Sequence, residues 1–213
     1  SKKRVALIGA RGYTGKELIN LINAHPHLEL KLVSSRELAG KVCQDYSKAE
    51  LYYSNLDAKN VGQYASDIDC WIMALPNKVC KPFVDELLKL NKPVNIVDLS
   101  ADYRFDSTWN YGLPELYGNR TTLKQLVKES LKKKSLLVSN PGCYATGCQI
   151  GLYPLVKNNL LRGQPTIFGI SGYSGAGTTP SRKNDIQELK DNLMPYSLTG
   201  HIHEKKVSFH TKL

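Results

Sequence analysis

The sequence has no internal repeat, no low-complexity segment and no apolar run that a bilayer could hold. Its longest stretch without a charge, residues 135–156, is broken by Asn140-Pro141-Gly142 and by Gln149, which excludes a membrane-spanning helix. No secretory signal is expected either. Lys2-Lys3-Arg4 leads into Val5-Ala6-Leu7-Ile8, but the apolar run stops at Gly9 and meets Arg11, too short for the core of a signal peptide. The five cysteines (Cys43, Cys70, Cys80, Cys143 and Cys148) lack paired spacing, and an odd number leaves at least one outside any intramolecular disulfide. A reducing compartment fits that usage best. Acidic residues are scarce beside basic ones: 19 Asp and Glu against 29 Lys and Arg give a net charge of +10. Such a balance favours anionic partners, namely nucleic acid, acidic lipid or phosphorylated small molecules, or else marks a solvated basic surface.

What is present is ordinary for a folded protein. Of 213 residues, 41% are apolar and 23% charged, which excludes wholesale disorder and fits one large domain or two small ones. The chain opens on Ser1 rather than Met, as a processed or cut end would. Residues 4–8 read as a short strand, β-branched at Val5 and Ile8. A glycine turn follows, then an amphipathic helix over 17–24 with Leu18, Ile19, Leu21 and Ile22 on its stripe. Residues 28–33 alternate as a strand, 67–74 form a second strong strand candidate, 78–90 a helix and 94–99 a further strand. This alternation predicts a parallel, doubly wound α/β sheet. Residues 102–119, rich in Tyr, Asp, Asn, Gly and Pro, read as loop. Residues 121–134 predict a helix ending in Lys132-Lys133-Lys134, where positive charge suits the C-terminal dipole. A strand over 136–139, a helix over 143–158, a strand over 166–171 and a glycine-rich loop to Thr179 follow. Beyond Asp185 the pattern is mixed.

Gly9, Gly12 and Gly15 lie between the first strand and the first helix. Glycine there permits a tight turn and close approach of a pyrophosphate, to which the helix N-terminus offers N–H groups and a positive dipole end. The spacing is G-x-x-G-x-x-G rather than the commoner G-x-G-x-x-G. The second strand ends in Ser34-Ser35-Arg36, where NAD binders usually carry an acid for the ribose 2′-hydroxyl. A hydroxyl followed by a guanidinium suits a 2′-phosphate, so the residues favour NADP; the competing reading pairs Arg36 with Glu37.

Cys143 follows a strand and the turn Asn140-Pro141-Gly142, and it opens a helix. A helix N-terminus favours thiolate, the form a nucleophile needs. Cys70, Cys80 and Cys148 fall inside strand or helix patterns and read as packing residues, and Cys43 has no partner.

Six motifs occur in order: Gly9-Ala10-Arg11-Gly12-Tyr13-Thr14-Gly15, Ser34-Ser35-Arg36, Asp98-Leu99-Ser100-Ala101-Asp102-Tyr103-Arg104, Tyr111-Gly112-Leu113-Pro114-Glu115, Asn140-Pro141-Gly142-Cys143-Tyr144-Ala145-Thr146 and Ser171-Gly172-Tyr173-Ser174-Gly175-Ala176-Gly177. Together they closely resemble the N-acetyl-gamma-glutamyl-phosphate reductases, NADP-dependent enzymes of arginine biosynthesis, over residues 5–204. The resemblance implies a Rossmann domain over 1–142, followed over 143–213 by part of an α+β catalytic domain of the semialdehyde dehydrogenase type. It implies that Cys143 attacks an acyl phosphate to give a thioester, which hydride from NADPH reduces to the semialdehyde. Cofactor contacts are implied for Gly9, Arg11, Gly12, Tyr13, Thr14, Gly15, Ser35, Arg36, Leu75, Pro76 and Ser100. A backbone loop against the nicotinamide is implied for Gly172, Ser174, Gly175, Ala176 and Gly177. Arg104, Asn140 and Ser171 are implied to meet substrate; on the residues alone, Arg104 could equally pair with Asp102 or Asp106. Many such reductases carry Arg after the final glycine; here Thr178 stands there and Arg182 lies further on.

The segment around Ser174 is not a hydrolase elbow, since G-x-S-x-G would need glycine where Ala176 stands. His201-Ile202-His203-Glu204 has H-x-H spacing, which on a strand would put two ligands on one face, but no third ligand follows and no metal is expected. The resemblance instead places an acid/base histidine here, His201 first and His203 as substrate contact or alternative, consistent with imidazole chemistry near neutral pH. His25, His27 and His210 match no motif.

Two other readings compete: a sister reductase of acetylaminoadipyl phosphate or aspartyl phosphate, and, from a different class, a non-catalytic NADP-binding protein. Nucleic acid is disfavoured, because the dense basic run at Lys124, Lys128 and 132–134 lacks interleaved aromatics and reads as a solvated helix face. No membrane partner is expected, and a homo-oligomer is. The wording Gly175-Ala176-Gly177-Thr178 and His201-Ile202-His203-Glu204 resembles fungal members, whose reductase is cut from a bifunctional precursor with acetylglutamate kinase. This implies the mitochondrial matrix over the cytoplasm, and association with that kinase. Residues 143–213 are too few for the sheet such enzymes build in their catalytic domain, so a truncated chain is expected, able to bind cofactor but impaired in turnover.

Overall fold

A computed structural model describes residues 1–118, 120–132, 135–195 and 198–213. The chain divides into two compact units, Ser1–Gly112 with Thr121–Asn140, and Leu113–Arg120 with Pro141–Leu213.

The first unit is built on β1 (Lys3–Ile8), α1 (Tyr13–Ala24), β2 (Leu28–Ser34), β3 (Tyr53–Ser54), β4 (Cys70–Met73), α2 (Lys81–Leu88), β5 (Asn95–Asp98), β6 (Asn110–Tyr111), α3 (Arg120–Lys132) and β7 (Leu136–Ser139). The seven strands form one sheet in the order β3-β2-β1-β4-β5-β7-β6, with parallel pairing throughout. Four successive residues of β1, from Val5 to Ile8, are buried, because both sheet faces are covered and each residue meets a core whichever way it points. Ala6 and Ile8 join Trp71, Met73, Val84 and Leu87 on one face; Val5 and Leu7 join Ile19, Ile22 and Val33 on the other. The doubly wound parallel sheet expected from the alternation of strands and helices is therefore present. Its reversal of strand order falls between β1 and β4, where such folds open a ligand crevice at the strands' C-terminal ends.

In the second unit, α4 (Cys143–Lys157) and α6 (Ile202–Thr211) pack together, and α5 (Ile186–Leu189) is a single turn. Ala145, Gln149 and Leu152 form the buried stripe of α4, with Val207 and Lys206 buried on α6. Gln149 donates its amide N–H to the Lys206 carbonyl at 3.1 Å.

Several sequence expectations are corrected. Helix α1 starts at Tyr13, not residue 17, so Gly12 is its N-cap and Gly15 lies inside it. The expected strand over 166–171 does not form: among the described residues no strand pairs with it, and Phe168 is 85% exposed. The expected loop over 102–119 holds β6 and a 3-10 turn, Pro114–Tyr117. The weakly periodic tail contains α6, so the H-x-H residues sit at a helix start rather than on a strand. Lys133 and Lys134 at the end of the expected basic helix, and Asn119 at the end of the expected loop, lie outside the described residues. Among the described residues, no helix is long and apolar enough to cross a membrane.

Candidate functional site

The glycine turn sits at the C-terminal end of β1. Gly9 has φ +85°, and a Cβ there would lie 2.5 Å from the Ala74 carbonyl oxygen and 3.0 Å from Leu75 Cδ2. A Cβ on Gly15 would come within 2.5 Å of the Ala10 backbone. These two positions exclude a side chain for reasons internal to the fold. Gly12 differs: its φ is −72° and a Cβ would meet nothing within 4 Å. The space over Gly12 is open, at a helix start whose first-turn N–H groups have no acceptor within the helix. An open glycine N-cap beside the strand-order reversal has the room and the N–H donors that a dinucleotide pyrophosphate would need.

The end of β2 forms the adjoining wall. The Gly9 and Ala10 amides both donate to the Ser34 carbonyl, at 3.0 and 2.9 Å, tying the turn to β2. Ser35 is buried, and its Oγ accepts the Leu38 N–H at 3.3 Å. Arg36 is exposed. Glu37, the competing partner from sequence, pairs instead with Arg11 at 2.5 Å. That pair joins the glycine turn to the loop after β2.

The ends of β4 and β5 lie across the strand-order reversal from β2. Leu75 is half-buried and Pro76 exposed. Asp98 is fully buried; it accepts the Ser100 amide at 3.0 Å and the Ser100 hydroxyl at 2.7 Å. Ser100 is thus held inside the fold by its own hydroxyl. Arg104 is buried and donates from Nε to the Asn140 carbonyl at 2.8 Å and from Nη2 to the Leu99 carbonyl at 2.7 Å. The acids that proximity suggested for it are taken up elsewhere. Asp102 accepts the Lys78 amide, and Asp106 accepts the Thr108 amide and hydroxyl at 2.8 and 2.6 Å.

In the second unit, Gly142 caps α4 with extended backbone, and Cys143 is its first residue, exposed to solvent. Thr146 returns both its amide and its hydroxyl to the Gly142 carbonyl at 2.9 Å, fixing that first turn. The next residue, Tyr144, stacks on His203 with ring centroids 5.2 Å apart, and His203 stacks on His201 at 4.4 Å. His201 caps α6, its Nδ1 accepting the His203 amide at 3.0 Å. The packing of α4 on α6 thereby gathers the exposed thiol's turn and both histidines in one place. Cys43 and Cys80 are buried and Cys70 and Cys148 half-buried. Burial pushes Cys70 up to about 11, raises Cys148, and raises Cys80 further, with the neighbouring Asp98 adding to the last. Among the described residues, no three of His, Cys, Asp and Glu gather as metal ligands. Ser171, Gly172, Ser174, Gly175, Ala176 and Gly177 lie in this unit, around the exposed 3-10 turn Tyr173–Ala176. Asn184 Nδ2 donates to the Gly177 carbonyl at 2.8 Å.

Sequence reasoning missed Asn77, Lys78 and Asp102, which join the loops after β4 and β5. The only signal was Asp102 within Ser100-Ala101-Asp102-Tyr103-Arg104, read there as a partner for Arg104.

Comparison with known proteins adds three findings. Residues 4–126 match the family described as semialdehyde dehydrogenase, NAD binding domain, and residues 143–213 the one described as semialdehyde dehydrogenase, dimerisation domain. Protein arg-6, mitochondrial, of Neurospora crassa is 55% identical over 211 residues, covering 96% of this chain and 23% of its own length. The N-acetyl-gamma-glutamyl-phosphate reductase of Stenotrophomonas maltophilia is 51% identical over 207 residues, covering 96% and 61%. This chain therefore spans about a quarter of the fungal relative and three fifths of the bacterial one. Among solved structures, aspartate semialdehyde dehydrogenase with NADP from Candida albicans superposes with a TM-score of 0.66 at 20% identity, covering 99% of this chain and 59% of that one, a likeness of fold.

Proposed function

This chain belongs to the semialdehyde dehydrogenase family, and from that premise we propose that it carries the dinucleotide site and nucleophile of an NADPH-dependent N-acetyl-gamma-glutamyl-phosphate reductase. The observation that carries the reading is the exposed Cys143 at the first turn of α4, next to the Tyr144–His203–His201 stack. A thiolate at that position attacks the acyl carbon of N-acetylglutamyl 5-phosphate, forms the C–S bond and expels phosphate, leaving a thioester on Cys143. NADPH, when bound, supplies the hydride that reduces the thioester. His201 takes the thiol proton, and returns a proton as the thiohemiacetal collapses to the 5-semialdehyde; His203 orients it through the ring stack. Gly12 and the first turn of α1 receive the pyrophosphate, with Gly9, Tyr13, Thr14 and Gly15 shaping that turn. Arg36, exposed at the end of β2, takes the 2′-phosphate, helped by Ser35 and Arg11. Leu75 and Pro76 wall the crevice, Ser100 supports it, and the loop Gly172, Ser174, Gly175, Ala176 and Gly177 serves the nicotinamide. Arg104, Asn140 and Ser171 serve the substrate, Arg104 by placing its charge beside Asn140.

Identity to the reductase of S. maltophilia supports the substrate, and the dimerisation-domain match over 143–213 supports a homo-oligomer. Likeness to a relative named as mitochondrial supports residence in that organelle, and the fungal resemblance supports association with acetylglutamate kinase.

The test is the reverse reaction of the full-length protein with N-acetylglutamate 5-semialdehyde, NADP and inorganic phosphate, followed by NADPH absorbance. NADPH formation should require phosphate and vanish in Cys143→Ser. Full activity in that variant, or none in the parent, overturns the proposal. Arg36→Ala should weaken NADP while leaving NAD unchanged.

A further inference from the structure

Lys78 lies in the loop after β4 with φ +69°, in the left-handed region that is unfavourable for a residue with a side chain. Such a conformation persists only where its surroundings impose it. Here the Lys78 amide donates to both carboxylate oxygens of Asp102, at 2.8 and 2.9 Å. One residue earlier, Asn77 Oδ1 accepts the Ala101 amide at 2.9 Å, so two bonds join the loops after β4 and β5 in opposite directions. Asp102 is itself held from within. Its amide donates to Ser100 Oγ at 3.1 Å, and that hydroxyl donates to the buried Asp98. The brace thus runs from a fixed carboxylate at the end of β5, through Ser100 and Asp102, to the amide of Lys78.

The braced loop borders the candidate cofactor crevice. A Cβ on Gly9 would strike the Ala74 carbonyl and the Leu75 side chain, so residues 74–75 lie directly against the glycine turn. Whatever fixes the backbone at Lys78 also fixes the course of Leu75 and Pro76 along that turn.

We propose that Asp102 is a positioning residue for the dinucleotide site: by accepting the Lys78 amide with both oxygens, it holds the loop after β4 in the shape that presents Leu75 and Pro76 to the cofactor. This rests on the NADP-binding reading above and extends it to a residue that does not itself touch the ligand. Released from Asp102, Lys78 relaxes to negative φ, and only a minor fraction of molecules keeps the binding shape. Apparent affinity falls by that fraction.

Equilibrium binding of NADP to the full chain, with thermal unfolding alongside, tests this. Asp102→Ala should raise the NADP Kd about tenfold. Adding Lys78→Gly should restore most of the affinity, because glycine holds positive φ without a clamp. Lys78→Pro, which removes the donated N–H and forces φ to about −65°, should weaken binding at least as much as Asp102→Ala and leaves Asp102 in place if that variant does not fold. A merely structural Asp102 would lower Tm and leave Kd unmoved. Unchanged Kd in Asp102→Ala or in Lys78→Pro overturns the proposal, as does a double variant no better than Asp102→Ala. If the unsubstituted chain binds no NADP, the cofactor reading fails and the positioning role with it. If it binds and the variants match it, only the positioning role fails.

Discussion

Adding one methyl group at Gly9 and one at Gly12 should give opposite outcomes, although the two residues are three apart in the same turn. At Gly9, alanine must adopt φ +85°, which costs about 1–2 kcal/mol. Its Cβ must also sit 2.5 Å from the Ala74 carbonyl oxygen, a backbone atom that cannot swing aside. Overpacking of that kind adds about 1–3 kcal/mol. The total, about 2–5 kcal/mol, corresponds to a drop in Tm of about 4–20 °C for a chain this size. At Gly12 the backbone already has φ −72°, and the new methyl meets nothing within 4 Å. Alanine is a poorer N-cap than glycine but loses less entropy on folding, so the net change stays within about 0.5 kcal/mol.

Ligand binding reverses the order of severity at equal stability. A saturating ligand at about a hundred times its Kd stabilises the folded state by about 2.7 kcal/mol. Thermal unfolding of the parent with and without NADP should show that gain. In Gly12→Ala the methyl fills the space the pyrophosphate needs, so affinity should fall about tenfold or more, equivalent to about 1.4 kcal/mol, and the NADP-induced shift should shrink accordingly. A Gly12→Ala chain that binds NADP as the parent does would refute a pyrophosphate site at Gly12. A Gly9→Ala chain that melts like the parent would refute the contact with Ala74.

Three further outcomes follow from the side chains. Iodoacetamide at neutral pH should label exposed Cys143 before Cys70, Cys148 or the buried Cys43 and Cys80, read by peptide mass spectrometry; equal labelling of Cys148 would remove the contrast on which the nucleophile assignment leans. The Asp69 carboxyl is held below its ordinary range by the Arg4 backbone amide at 2.8 Å and then by Arg4 Nε at 3.1 Å. Its folded value lies below its unfolded one, so its contribution is complete above about pH 4 and disappears as pH falls through the folded value; Asp69→Asn should lower Tm above about pH 4 by a constant amount and flatten the acid limb of Tm against pH. Glu37→Gln should leave Tm nearly unchanged, since exposed pairs contribute about 0–1 kcal/mol. By freeing Arg11 and removing a carboxylate next to Arg36, it should tighten NADP several-fold over NAD; an unchanged ratio of the two Kd values would exclude the Arg11–Glu37 pair from coenzyme choice.

What could be read from the sequence divides by the range of the forces involved. The strands β1, β4, β5 and β7 were legible as short runs rich in apolar residues, and in β1 burial on both sheet faces makes the run continuous. The two edge strands, β3 and β6, have two residues each, too few to show any period, and only β6 fell in a segment that was read at all, as loop. Helix α6 hid for a different reason. Its buried residues are Lys206, Val207 and Thr211, so the face it buries is not apolar, and the periodicity that marked α1 is absent. The glycine turn and the exposed Cys143 were legible because they depend on a few consecutive residues: a backbone that must bend, and a helix that must start.

Arg104 shows where local reading stops. Asp102 and Asp106 flank it in sequence, and charge alone would pair them. In the fold, each of those carboxylates lies where a backbone amide needs an acceptor: Lys78 for Asp102, 24 residues away, and Thr108 for Asp106. Both bonds are exposed to solvent, and an exposed ion pair would return only about 0–1 kcal/mol, so neighbours of opposite charge in sequence need not pair. The guanidinium, which is buried, goes to the Leu99 and Asn140 carbonyls and so holds the backbone two residues ahead of Gly142, the cap of the helix that Cys143 opens. The same preference, backbone satisfaction over charge pairing, makes Asp102 a brace for the loop after β4. Neither role is written in the spacing of the motif, because both depend on loops that meet only once the sheet has formed.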